Sequence, residues 1–172
     1  MKKFNKGFTL IELLIVIALL GALAVGLLAA LDPFEQLKKG TDTGVRNTVS
    51  EIQGAIIRYY GIKNYMPWCT DPNTCTTPDG TKNFADVGMQ TTIIKAITDT
   101  GELKSDFIKL AGGQLGSIYL TGTNDPPTAI VCFNPISKSF ASNPNTKFDQ
   151  KGADKVNCPT CDPAGMCFWC VR

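Results

Sequence analysis

The sequence predicts an α+β chain: a long N-terminal helix, apolar in its membrane half and amphipathic in its second half, packed on a small antiparallel sheet. Three observations predict it. Residues 13–31 run for nineteen positions without a charge, close to the roughly 20 apolar residues that carry a helix across a bilayer. Val45, Val49, Ile52, Ile56 and Tyr59 then recur at spacings of four, three, four and three, the stripe of a helix lying on a core. Last, residues 117–121 (SIYLT) and 128–133 (TAIVCF) read as strands joined by the turn Asn124-Asp125-Pro126-Pro127, a hairpin pattern.

The first element begins at Gly7-Phe8-Thr9-Leu10-Ile11-Glu12, behind Lys2, Lys3 and Lys6. The lysines hold the N-terminus in the cytoplasm, so everything after Leu31 lies outside. A plain signal anchor accounts for the basic flank and the apolar length. A cleaved signal peptide fits less well, since its apolar region is shorter and its cut follows that region. Neither accounts for Glu12. An ionisable group among apolar neighbours costs about 2–3 kcal/mol even on mild insertion scales, and is tolerated when it has a partner. If the chain is cut between Gly7 and Phe8, the new amine of Phe8 lies one helical turn from Glu12. In a bundle of identical helices that amine and a neighbour's Glu12 neutralise each other and fix the axial register.

The run KGFTLIELLIVIALLGALA resembles the class III leader and helix of type IV pilins and type II secretion pseudopilins. The resemblance covers residues 1–31 and rests on the basic leader, Gly-Phe-Thr, the glutamate at the fifth mature position and the apolar run. It implies that a prepilin peptidase cuts after Gly7 and methylates Phe8. It further implies that Glu12 guides assembly on an inner-membrane platform, with identical or related pilins as partners. A pilin-like fold follows, with residues 1–7 as leader, 8–31 as transmembrane and assembly helix, 32–60 as amphipathic continuation and 61–172 as an extracellular head. The chain would begin as a single-pass membrane protein and end in a cell-surface filament.

Along the helix, Gly21 and Gly26 each lower helix propensity by about 1 kcal/mol relative to alanine. Two readings stand for them: close helix packing, or, by the resemblance, a zone that extends when subunits leave the membrane. Asp32-Pro33 ends the apolar run, with Asp32 able to cap a new first turn that holds Glu35. Residues 40–44 (GTDTG) are weak helix formers and a possible break. A single helix over residues 8–60 would span about 80 Å at 1.5 Å per residue. Gly61 is placed to close it. Residues 62–86, rich in Pro, Thr, Asn, Asp and Gly, read as a long surface loop stapled by a Cys69–Cys75 disulfide. Met89, Ile93, Ile94 and Ile97 predict a short helix ending near Gly101, and Phe107, Ile108 and Leu110 a further turn capped by Ser105 or Asp106. Residues 136–140 are a candidate third strand, 141–157 irregular, and 167–171 a last short strand.

The chain has 172 residues and a formal charge of +2; without the three leader lysines, fourteen basic side chains face fifteen acidic ones. About 110 residues outside the long helix are enough for one small core. No block of like charge supports a nucleic-acid partner. Histidine is absent, which excludes Ser-His and Cys-His nucleophile pairs and histidine metal ligands. With no phosphate-cradling loop and no close acid pair, the sequence argues against an enzyme.

Seven cysteines behind an export segment indicate an oxidising exterior. Cys158, Cys161, Cys167 and Cys170 form a paired C-x-x-C arrangement that admits two disulfides or a tetrahedral zinc, although the five-residue centre is short for a zinc ribbon. Cys132 reads as a small buried thiol on a strand face, with pairing to the tail as the alternative. Two function classes remain: a structural subunit of a pilus-like filament or secretion pseudopilus, and a minor or tip pilin binding DNA, a surface or another cell. Tyr65, Trp68 and Trp169 are the residues that would make the head sticky if exposed; core positions are the commoner fate of such rings.

Overall fold

The computed structural model describes residues 7–30, 32–155, 158 and 167–172. The expectations that fall on Lys2, Lys3, Lys6, Leu31 and Cys161 lie outside the described residues. The chain divides into two compact units, Met1–Leu37 and Lys38–Arg172.

The first unit is built on α1 (Leu10–Ala30). Residues Leu10–Leu28 have a mean hydropathy of 2.8 and the length of a bilayer span. The helix passes through Gly21 and Gly26 without interruption. It does not continue into the next helix: α1 ends at Ala30 and α2 (Pro33–Lys63) begins at Pro33, so the single helix expected over residues 8–60 is two. Proline has no N–H to give and its ring conflicts with the carbonyl four residues earlier, so it starts a helix more readily than it continues one. Asp32 supplies the cap, its Oδ1 accepting from the Glu35 N–H at 3.2 Å.

Over residues 40–44 α2 is unbroken, although Gly40 and Gly44 cost about 1 kcal/mol each in propensity. Tertiary bonds outweigh that cost. Asp42 is 2 % exposed, and its carboxylate accepts from the backbone N–H groups of Ile136 (3.1 Å) and Ser137 (2.8 Å) and from the Ser137 hydroxyl at 2.5 Å. Thr48 ties the same stretch to Gln114 through a 2.8 Å hydrogen bond. The helix also runs past Gly61 to Lys63. Asn64, at a φ of 59°, takes the left-handed position expected of glycine, its N–H reaching the Tyr60 carbonyl at 2.7 Å.

The second unit carries a four-stranded antiparallel sheet in which β3 (Asp79–Asn83), β4 (Ile118–Asn124), β5 (Pro127–Phe133) and β6 (Trp169–Val171) lie side by side in that order. The hairpin of β4 (Ile118–Asn124) and β5 (Pro127–Phe133) is its centre, in register from Ile118↔Phe133 to Asn124↔Pro127. Residues 62–86 are not one irregular loop. They hold a two-stranded ribbon, β1 (Cys69–Asp71) with β2 (Thr74–Cys75), followed by the edge strand β3 (Asp79–Asn83). The polar residues that suggested a loop build its turns. The Asp71 carboxylate accepts from the backbone of Asn73 (2.8 Å) and Thr74 (3.0 Å), and these bonds, the Asn73 one foremost, hold it below the usual carboxylate range. The helical stretch comprises α3 (Val87–Met89), a π-turn over Gln90–Ile94 and α4 (Lys95–Asp99); α5 (Phe107–Ala111) and a 3₁₀ segment (Gly112–Ser117) lead into β4.

Residues 136–140 are not a third strand. Ser137 caps the short helix α6 (Lys138–Ala141), its Oγ accepting from the Phe140 N–H at 3.3 Å, so the chain turns away from the sheet. The strand beside β5 is instead β6 (Trp169–Val171) from the C-terminus. All five stripe residues of α2, Val45 to Tyr59, are buried in one core with Ile94, Ile97, Leu120, Val131 and Phe133. Trp68 joins that core, pressed so closely on Gly122 that a Cβ there would overlap its ring. Tyr65 and Trp169 are half-buried against it.

Candidate functional site

The residues singled out at the N-terminus stand together at the start of α1. Gly7 and Phe8 precede the helix in non-helical backbone; among the described residues no atom beyond its chain neighbours lies within 4 Å of a Cβ placed on Gly7, and Phe8 is 81 % exposed. A peptide bond in this state can be drawn into a protease groove without unfolding anything.

Thr9 and Glu12 form a reciprocal cap. Glu12 Oε2 accepts from the Thr9 N–H at 2.8 Å and from the Thr9 hydroxyl at 2.6 Å, while Thr9 Oγ1 accepts from the Glu12 N–H at 3.3 Å. This is a capping box, with Thr9 as N-cap and Glu12 three residues on, and it satisfies N–H groups that the first turn leaves without partners. The charge of Glu12 alone points only to a partner on another chain. The T-x-x-E spacing ahead of an apolar run was the sign that it also has work within its own helix. Its second oxygen, Oε1, makes no hydrogen bond among the described residues and stays open to an external cation.

Beyond the cap, the side chains of α1 are uncovered among the described residues of its unit. Every large apolar side chain from Leu10 to Leu28 is exposed, and none of the span is buried. At about 1.5–3 kcal/mol for each buried Leu or Ile, such a surface demands lipid or other helices around it.

The cysteines resolve into three pairs among the described residues. Cys69 is bonded to Cys75, closing the β1–β2 ribbon. Cys132 is bonded to Cys170, its direct opposite in the β5–β6 register, so it is not a free buried thiol. Cys158 is bonded to Cys167. Of the four cysteines that admit a zinc, Cys158, Cys167 and Cys170 are thus in disulfides, and Cys161 lies outside the described residues. The register of β6 against β5 decides the Cys132 pairing, and no spacing in the sequence reveals that register.

A family model described as the prokaryotic N-terminal methylation motif matches residues 2–28. The chain begins with a class III prepilin leader. With the apolar helix behind it, the motif supports a pilin- or pseudopilin-like protein and fits a single-pass membrane-anchored chain of the kind later found in extracellular filaments. The leader implies processing by a prepilin peptidase and assembly with related pilins, and points to a structural subunit rather than an enzyme. The small antiparallel sheet after the long helices agrees with a pilin-like α+β fold. No curated protein and no solved structure matches the chain.

Proposed function

We propose that this protein is the structural subunit of a type IV pilus-like filament. A prepilin peptidase cuts between Gly7 and Phe8 and methylates the Phe8 amine. The inner-membrane platform then adds the subunit to the growing fibre, with Glu12 setting the register of each α1 against its neighbours. The observation that carries this reading is α1 itself: a helix apolar on every face and uncovered within its own unit, headed by an accessible bond and a single carboxylate with one free oxygen. A lone membrane anchor needs the apolar surface and is served by the capping bonds of Glu12, but it gains nothing from a charge with one oxygen left open.

The test is intact mass together with sheared filaments. The mature chain should begin at Phe8 and carry one added methyl group, and it should be abundant in the sheared fraction. Gly7→Arg should keep the leader and leave the chain in the membrane. A mature protein that retains residues 1–7 defeats the proposal; a trace component of sheared fibres points instead to a minor pilin, and exclusive residence in the membrane to a pseudopilin.

A further inference from the structure

The second unit holds an open pocket of about 480 Å³ between the β1–β2 ribbon, β3 and the start of the helical stretch. That is the size of a small-molecule site. Its base is apolar, made by Trp68, Met89, Ile93 and Leu120, all buried. Its rim is polar: Thr76, Thr77 and Thr92 line it with hydroxyls that form no hydrogen bond among the described residues, beside the charged Asp79, Lys82 and Asp86. Trp68 brings a further unmet group, a buried indole N–H without an acceptor among those residues.

The charges narrow the ligand. Asp79 accepts from the Thr81 N–H (3.0 Å) and hydroxyl (2.6 Å), which, the hydroxyl first, hold its carboxyl below the usual range. Asp86 caps α3 through the Met89 N–H at 3.2 Å and lies 3.7 Å from Lys82 Nζ. With Lys151 acting on Asp79 as well, two carboxylates face two ammonium groups, which leaves no positive surplus for a phosphate or carboxylate ligand. An extended peptide is also disfavoured. The β3 edge it would pair with has its Thr81 N–H given to Asp79 and its Gly80 carbonyl accepting from Gln150 Nε2 at 2.7 Å.

We propose that this pocket binds a neutral mono- or disaccharide, its apolar face on the Trp68 side and its hydroxyls paired with the threonine rim and Asp79. Apolar C–H faces and dense neutral hydroxyls are what such a lining complements.

The full chain in a detergent without a sugar headgroup tests this. Trp169→Phe leaves Trp68 as the sole indole, since the chain has two tryptophans. Methyl glycosides of glucose, galactose and mannose, and N-acetylglucosamine, are titrated into the tens-of-millimolar range while indole emission is read. At least one should give a saturable change. Thr92→Tyr, which fills the pocket, should weaken that binding at least about tenfold, or 1.4 kcal/mol. Thr77→Ala, a smaller change at an exposed position, should weaken it in the same direction and serves if Thr92→Tyr does not fold. Four flat titrations overturn the proposal, as does binding indifferent to both substitutions, or saturation by inorganic phosphate or a neutral peptide instead of a sugar. None of these readouts needs filaments, so failure here leaves the assembly proposal standing, and the converse holds.

Discussion

The two units of this chain spend their apolar residues in opposite ways. In Lys38–Arg172 the large side chains close on one another: Phe84, Ile52, Ile56 and Phe133 are fully buried. In Met1–Leu37 the same residue types, from Leu10 to Leu28, are left uncovered. One unit closes a core of its own; the other leaves its apolar surface uncovered. The difference teaches where to look for function. Changes in the second unit should be read as folding energy, and changes in the first as membrane residence and assembly.

The largest expected effect sets the units directly against each other. Phe84→Ala opens a cavity in a closed core and should lower stability by about 3–5 kcal/mol. Leu19→Ala, at a side chain 60 % exposed, should leave the melting of the second unit unchanged. Denaturant titration in detergent, followed by near-ultraviolet circular dichroism, checks both. Equal losses from the two substitutions would break the comparison, since α1 would then contribute to the head's core.

Next comes the Cys132–Cys170 bridge, which holds the C-terminal strand β6 to β5. Replacing both cysteines with alanine should cost about 2–4 kcal/mol by releasing the unfolded chain from a 38-residue separation. Amide exchange in β6 should rise well before exchange in the β4–β5 hairpin. Uniform protection across all three strands would show that the bridge is not what retains the terminus.

A smaller effect attends Asp42. Asp42→Ala strands the Ile136 and Ser137 N–H groups and should cost about 1–3 kcal/mol. Asp42→Asn keeps an acceptor and should recover part of that loss. The loss should appear as fraying of α2 near Gly40 and Gly44, which the latch holds in helix against their propensity. Helical amide protection there, unchanged in Asp42→Ala, would assign the continuity of α2 to packing alone.

What the sequence made legible follows the same division. The span, the α2 stripe and the β4–β5 hairpin could be read because each is a periodic pattern in adjacent residues. The Asp32–Pro33 start of α2 could be read because a cap and a proline act locally. The rest depends on partners far along the chain. Asp42 looks like a helix breaker until Ser137, 95 positions away, bonds to it. Cys132 looks like a core thiol until β6 arrives from the C-terminus. Residues 62–86 look irregular because Asp and Thr build turns through side chains, which leaves no alternation to count. At the candidate site Gly7, Phe8 and Glu12 are legible by residue type, while the local half of Glu12's chemistry lies in its spacing from Thr9 and not in its charge.

That half gives the finest discrimination. The capping box and the proposed register pair make different demands on Glu12: the cap needs an acceptor, and the pair needs a charge. Glutamine serves a capping box as glutamate does, so Glu12→Gln should keep α1 helical to its first turn and should still be cut at Gly7. If the charge sets register, the same substitution should lower recovery in sheared filaments at least about tenfold, corresponding to 1.4 kcal/mol. Thr9→Ala is the complement. It removes the cap at a cost of about 1 kcal/mol but leaves the carboxylate free for a neighbour's amine, so filaments should persist with a frayed first turn. If the ranking is reversed, with Thr9→Ala abolishing filaments and Glu12→Gln sparing them, the carboxylate belongs to its own helix, and the register of the fibre must come from shape alone.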